Sequence, residues 1–327
     1  MGEGRTDYCE PGILGHMGSK PSHRPENDRG RRYTVAGHVF EAPRQPAGLT
    51  LVATPIGNLR DITLRALEIL AGADLVACED TRVTRKLFEH YGISTPLIAY
   101  HDHNAEAVRP KILERLAAGQ GVALVSDAGT PLISDPGYRL VREAIAAGVA
   151  ATAAPGASSA LMALTVAGLP TDRFFFEGFL PAREAARRTR IAELARIPAT
   201  LVLFESGPRL AETLSDLAAG LGPREAAVAR ELTKLHEEVR RGDLAVLAAD
   251  YAGGAETRGE MVIVVAPPVA EQASAADIDA LLQRALARTS VKEAVAEVAS
   301  ATGAPRRAVY SRALELTKDK NGAPERT

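Results

Sequence analysis

The sequence predicts an α/β protein of two domains, a doubly wound parallel sheet followed by a smaller mixed α/β domain, with a helix-turn-helix at its carboxyl end. Three observations carry that expectation. The chain has 327 residues, about twice the ~150-residue modal domain. Over its first half, short apolar runs alternate with helix-length segments, the sequence form of a parallel sheet wrapped by helices. Near its end short strands follow one another directly, which calls for antiparallel pairing, and a capped helical pattern then closes the chain.

Residues 1–48 mix Gly, Pro, Arg, Asp and Glu with scattered apolar residues such as Ile13, Leu14 and Phe40, so a disordered tail is expected. Met17 offers an alternative initiator. From Leu49 the pattern changes: LTLVAT (49–54), DLVAC (74–78), PLIAY (96–100), GVALVS (121–126) and VAATA (149–153) read as strands. Helices fit at 61–72, 80–91, 105–118 and 138–147, the last two stopped by Gly119 and Gly148. A helix over 157–168 leads into the second domain. There FFFEGF (174–179), TLVLFE (200–205), AAVAREL (226–232), HEEVRR (236–241) and GEMVIVV (259–265) read as strands, with an Arg-rich helix at 184–197 and another at 208–220. The domains are expected at 49–170 and 171–268.

Beyond Pro267 and Pro268 three helices fit, at 276–288, 291–302 and 306–317. Ser290-Val-Lys-Glu293 is a capping box. Gly303 supplies a left-handed stop and Pro305 suits the next first turn. The turn between them is short, which predicts a helix-turn-helix over 276–318. Spacing alone fits a small structural or dimerising bundle equally well, and Arg306, Arg307, Arg312, Lys318 and Lys320 tilt the reading modestly toward RNA contact.

Composition excludes some classes. There are 39 Lys+Arg against 41 Asp+Glu, a formal charge of −2, so any nucleic-acid surface must be local. Cys9 and Cys78 form no zinc or redox spacing. A reduced, cytoplasmic setting fits, because the amino terminus lacks a signal-like apolar stretch and no run reaches the ~18 residues of a membrane span.

In an open parallel sheet, ligands bind beyond the carboxyl ends of the strands. The loops expected there are Thr54-Pro-Ile-Gly-Asn58, Glu79-Asp-Thr-Arg82, His101-Asp-His-Asn104, Ser126-Asp-Ala-Gly-Thr-Pro131 with Ser134-Asp-Pro-Gly137, and Pro155-Gly-Ala-Ser-Ser159. None is a dinucleotide or P-loop fingerprint. His101 and His103 straddle Asp102 as a lone pair, better read as loop residues than as metal ligands, and no metal is expected.

LVATPIGNLRDITLRALEIL, ACEDTR, HDHN, SDAGTPLISDPG, PGASSA, FEGFLP, RELTK and GEMVIVV occur in that order. Together they resemble the bacterial ribosomal RNA small-subunit methyltransferase I family, of the tetrapyrrole methylase fold. The likeness covers 49–267, and the C-terminal helices are similar to the tail of many members. One departure is Ser206-Gly-Pro-Arg209, with Pro208 where the family more often has histidine.

The resemblance implies transfer of a methyl group from S-adenosylmethionine to a ribose 2′-hydroxyl of 16S rRNA in the small (30S) subunit, on cytidine 1402, by a homodimer. It places Pro55, Gly57, Asp127, Ala128, Gly129, Thr130, Pro131, Gly156, Ser158 and Ser159 at the cofactor, joined by Glu205, Thr233 and Gly259 of the second domain. Gly129, Gly137 and Gly156 would let backbone approach the ligand closely. Arg82 and Arg85 join Arg306, Arg307 and Arg312 as RNA contacts. A ribose hydroxyl is a weak acid and needs help with its proton. Lys234 leads the candidates, with His101 or Asp102 as acceptor and Glu231 beside it; Glu79 and Asp80 are open alternatives that could equally cap a helix. Two rivals stand against this reading, a tetrapyrrole methyltransferase on the same fold and a non-catalytic ribosome-assembly factor.

Overall fold

A computed structural model describes residues 30–255, 257–268 and 275–321. The chain divides between Ser158 and Ser159 into two compact units. The first opens with β1 (Arg32–Val35) and β2 (His38–Glu41), an antiparallel hairpin. Ala36 and Gly37 at its turn have φ of 50° and 83°, the backbone that a two-residue hairpin loop requires. Tyr33 is buried and stacks on Phe40 at 5.4 Å. Arg31 and Arg44 hold the Asp74 carboxylate at 2.8 and 3.1 Å. The disordered tail expected over 1–48 is therefore corrected from residue 30 onward, where Tyr33 and Ala42 join the apolar core. Residues 1–29 lie outside the described residues.

Five strands then alternate with four helices: β3 (Gly48–Val52), α1 (Leu64–Gly72), β4 (Leu75–Cys78), α2 (Thr81–Tyr91), β5 (Leu97–Ala99), α3 (Ala105–Ala117), β6 (Gly121–Val125), α4 (Tyr138–Ala146) and β7 (Ala151–Ala154). All pair in parallel, in the order β5-β4-β6-β3-β7. The central strand β6 reads GVALV and is buried throughout, as a strand covered by helices on both faces must be. The period of two sorts its neighbours. Val52, Val76, Ala123 and Val125 pack with α1 and α2 residues such as Leu67 and Phe88, while Leu49, Leu75, Val122 and Leu124 pack with Ile112 and Leu140 of α3 and α4.

The second unit begins with α5 (Ser159–Val166), followed by β8 (Phe174–Phe179), α6 (Glu184–Leu194), β9 (Thr200–Ser206), α7 (Leu210–Leu221), β10 (Glu225–Arg230), β11 (Glu238–Asp243), α8 (Leu244–Ala252) and β12 (Glu260–Val265). Its sheet runs β11-β10-β12-β9-β8, parallel at β8–β9 and antiparallel at the other pairings. The boundary falls before α5 rather than at 170. The reason is that Arg241 of β11 donates to the carbonyls of Val166 and Ala167 at the end of α5, with Nε at 3.1 Å from Ala167.

Helix α8 was not expected. It is apolar nearly all round, so its period is hard to see, yet Leu244, Leu247 and Tyr251 are buried at helical spacing and Asp243 caps it by accepting from Ala245 N–H at 2.8 Å. The Arg-rich α6 serves packing: Arg187, 1% exposed, and Arg188 both bind Asp216 of α7, with their Nε atoms at 2.7 and 2.8 Å.

Helices α9 (Ala275–Leu286), α10 (Val291–Thr302) and α11 (Arg306–Asn321) close the chain. The capping box at Ser290 and Glu293 is formed, and Gly303 has φ 67°. Leu282, Val295, Val298 and Val309 bury the seam between the three helices.

Candidate active site

The loops that follow β3, β6 and β7 are stitched together at one edge of the first unit. Thr54 N–H donates to the Gly129 carbonyl at 2.8 Å and Gly129 N–H returns to the Thr54 carbonyl at 3.0 Å. Thr54 Oγ1 donates to Ser126 O at 3.2 Å, and Thr130 Oγ1 to Ala157 O at 3.0 Å. This exchange brings Pro55, Gly57, Asp127, Ala128, Gly129, Thr130, Pro131, Gly156 and Ser158 to one edge. Gly129 has φ 78°, and a Cβ there would press on Ile56 at 3.3 Å. Gly156 has a different reason. Its missing Cβ would lie 2.9 Å from that of Ala53, so packing against a neighbour already demands glycine, and the close-approach reading is corrected to that extent. Ser159 belongs to the second unit, as the first residue of α5.

Acidic groups crowd this edge. Asp127 Oδ1 accepts the Asp80 N–H at 2.9 Å. Burial pushes the Asp127 carboxyl above the ordinary range, with Asp80 adding to the push. Burial likewise raises Glu79, helped by the charges of Asp127 and Asp135. It raises Asp135 too, against a hydrogen bond from Ser126. Among the described residues none of Glu79, Asp127 and Asp135 makes an ion pair. Asp80 differs: it caps α2, and Arg82 grips it at 2.6 Å, which takes its carboxyl down to about 2. Arg82 is thereby part of an exposed ion pair, while Arg85 is exposed.

At the end of β5, Asn104 folds the HDHN segment by accepting from His101 N–H at 2.9 Å and donating to Ala99 O at 3.0 Å. His101 Nδ1 is buried without a partner among the described residues; Asp102 and His103 are exposed. No cluster of three metal-ligating side chains occurs among the described residues, and none of their helices is long and apolar enough to cross a membrane.

The second unit holds the other expected residues. Lys234 Nζ contacts Glu231 Oε1 at 2.8 Å and Glu260 Oε2 at 3.0 Å. Burial favours a neutral amine, but the two carboxylates outweigh it and hold Lys234 protonated above its usual range. Glu231 is held down by Lys234 and the Glu260 N–H despite burial. The segment is bent tightly: Glu231 and Thr233 have φ of 48° and 67°. A Cβ at Gly259, φ 103°, would strike the Glu231 carboxylate at 2.3 Å. Thr233 Oγ1 is buried without a partner among the described residues.

Two of the expected residues are engaged within the fold. Glu205 is no open cofactor ligand, because its buried carboxylate accepts from Ser206 N–H at 2.8 Å and Thr213 Oγ1 at 2.7 Å. Arg312 is no free RNA contact: its fork holds Asp279 of α9 at 2.7 and 2.6 Å, and Glu315 takes its remaining arm. Arg306 and Arg307 stay exposed and line a shallow groove with Lys292, Val295 and Tyr310. Lys318 and Lys320 have side chains outside the described residues. Sequence reasoning missed Tyr310, for which an aromatic three and four residues after two arginines was the available signal.

The family model described as Tetrapyrrole (Corrin/Porphyrin) Methylases matches residues 48–248. That is the class which the stitched loops and the two successive sheets define. The solved structure of a diphthine synthase shares the fold, with a TM-score of 0.54 at 21% identity, over 67% of this chain and 89% of that one. A second model, described as RsmI C-terminal HTH domain, matches 272–317. Ribosomal RNA small subunit methyltransferase I of Mesorhizobium japonicum is 53% identical over 281 residues, covering 86% of this chain and 95% of that protein. The protein of the same name from Pseudomonas aeruginosa is 46% identical, over 82% and 96%. The chain belongs to the ribosomal RNA small subunit methyltransferase I family, and it is a methyltransferase.

Proposed function

We propose that this chain methylates the ribose 2′-hydroxyl of a cytidine in 16S rRNA, with S-adenosylmethionine as donor. The observation that carries the reading is the 53% identity to a relative of that name, over a span that includes every loop of the first unit's edge. S-adenosylmethionine supplies an electrophilic methyl group and needs no metal. It carries a sulfonium and an ammonium, and the fit of the residues present is one of charge: Glu79 and Asp127 are carboxylates that burial and neighbouring negative charge disfavour, which a cationic ligand would relieve. Backbone at Gly129 offers polar contacts besides.

For the proton, His101 is the favoured acceptor, supported by the ring nitrogen without a protein partner; Asp102 is the alternative. Lys234, kept cationic by two carboxylates, is suited to stabilise a developing alkoxide. The groove of Lys292, Arg306, Arg307 and Tyr310 supports rRNA as substrate over a tetrapyrrole, which has no use for it. A homodimer in the cytoplasm completes the reading.

Radiolabelled methyl transfer to 30S subunits lacking the modification, followed by nucleoside analysis, tests it. The expected product is 2′-O-methylcytidine; label absent from rRNA contradicts the reading. Lys234→Ala and His101→Ala should bind cofactor normally and turn over about 10²–10⁴-fold more slowly.

A further inference from the structure

The edge of the first unit carries a pocket that the cofactor loops do not explain. Tyr100, Asp102, Arg109, Asp135, Tyr138 and Arg139 line it, drawn from the end of β5, the first turns of α3, and the turn that opens α4. Its lining is mixed in a specific way. Tyr138 is 66% exposed, an aromatic ring that packing does not account for. Arg139 is exposed and makes no ion pair among the described residues, whereas Arg109 is tied to Glu143 at 2.9 Å. Asp135 is half-buried and held by the Ser126 hydroxyl.

We propose that this pocket receives the base of the target cytidine, with Tyr138 as the stacking face and Asp135 and Arg139 reading the cytosine edge. The proposal rests on the cytidine methyltransferase reading above. RNA bases held out of the stack in single-stranded segments are recognised by stacking on aromatic side chains or guanidinium planes and by hydrogen bonds to their Watson–Crick edge. Cytosine presents an N4 amine donor beside the N3 and O2 acceptors. A carboxylate matches the amine and a guanidinium matches the acceptors.

Uracil reverses the first of these, because its O4 would face the carboxylate oxygen. Asp102, Glu106 and Asp135 face Arg139, the pocket arginine not tied in an ion pair among the described residues, and this excess of carboxylates disfavours a phosphate, so a base is the part of an RNA that it fits. Burial, with Asp127 adding to it, pushes the Asp135 carboxyl up, and a bound amine donor would relieve that cost.

The test uses the full-length enzyme with two 30S substrates, one with cytidine at the target position and one with uridine. Single-turnover rates are measured against subunit concentration, and S-adenosylmethionine affinity by calorimetry. Tyr138→Ala should raise the half-saturating subunit concentration about tenfold or more, the cost of one lost base stack, and Tyr138→Phe should restore it. Cofactor affinity should be unchanged in both. Asp135→Asn and Arg139→Gln should each lower the cytidine-over-uridine rate ratio about tenfold.

Arg139 is exposed, so its variant keeps the specificity arm readable if Asp135→Asn fails to fold. Wild-type saturation in Tyr138→Ala, or an unchanged ratio in a folded Asp135→Asn or Arg139→Gln, overturns the pocket assignment alone. So does a loss of cofactor affinity in Tyr138→Ala that matches its loss of activity. Wild-type enzyme that labels neither substrate overturns the cytidine methyltransferase reading, and the pocket with it.

Discussion

Carboxylates are treated differently in the two units. In the second, Glu205 is buried among the donors of Ser206 and Thr213, Asp216 is clasped by Arg187 and Arg188, and Glu231 by Lys234. In the first, Glu79, Asp127 and Asp135 stand close together, partly buried, with no ion pair among the described residues and with their carboxyls pushed up. Paired charges hold a structure together, whereas disfavoured ones of this kind cluster where a ligand completes the site. The contrast assigns structure to the second group and binding to the first.

The largest effect should come from breaking a pair. Asp216→Ala would strip the buried Arg187 guanidinium of its buried carboxylate and leave it the exposed Glu212 at 2.7 Å, and removing one partner of a buried pair costs about 3–5 kcal/mol. Denaturant melts should show that loss, while the folded fraction still binds S-adenosylmethionine with wild-type affinity.

Acidity offers a second way to separate the units. Asp216 and Glu231 have lowered carboxyls, burial being outweighed by their cationic partners. Their stabilisation is present at neutral pH and is lost as pH falls below the ordinary carboxylate range. Asp127 is raised by burial, so it binds its proton more tightly folded than unfolded, and stability falls as pH rises through the interval above its ordinary value. Asp127→Asn, which keeps an acceptor for the Asp80 N–H, should therefore raise the melting temperature of the unliganded protein at pH 7.5 by on the order of 1–3 °C, with the gain vanishing near pH 4. A gain that persists at pH 4 would detach it from the carboxylate.

The smallest effect sharpens the comparison within the C-terminal helices. Arg306→Ala or Arg307→Ala should each flatten the salt dependence of rRNA binding by about one unit of log slope. Arg312→Ala should leave the slope unchanged and lower the melting temperature instead, since its fork serves Asp279. A flattened slope in Arg312→Ala would return that residue to the RNA.

Much of this was legible in the sequence because its causes are local. Strands β3 to β7 show as apolar runs, their edge loops as polar and glycine-rich breaks, and the α10 start as Ser290 and Glu293. What escaped depends on partners distant in sequence. Nothing near Arg312 announces Asp279, and nothing near Gly156 announces Ala53. The hairpin at Arg32–Glu41 was hidden by the polar segment around it, although RYTV and HVFE flank an Ala-Gly turn. Tyr138 carried no signal until the fold set it with Tyr100, Asp102 and Arg109 at the mouth of one pocket.

The central claim is that the unpaired Glu79 and Asp127 of the first unit, and not the satisfied carboxylates of the second, meet the cofactor. Calorimetric titration of S-adenosylmethionine into Asp127→Asn and Glu205→Gln tests it most directly. Asp127→Asn should bind about tenfold or more weakly, the loss of a charge-assisted contact, while Glu205→Gln should bind as the wild type does. Wild-type affinity in Asp127→Asn, or a loss confined to Glu205→Gln, would contradict the account.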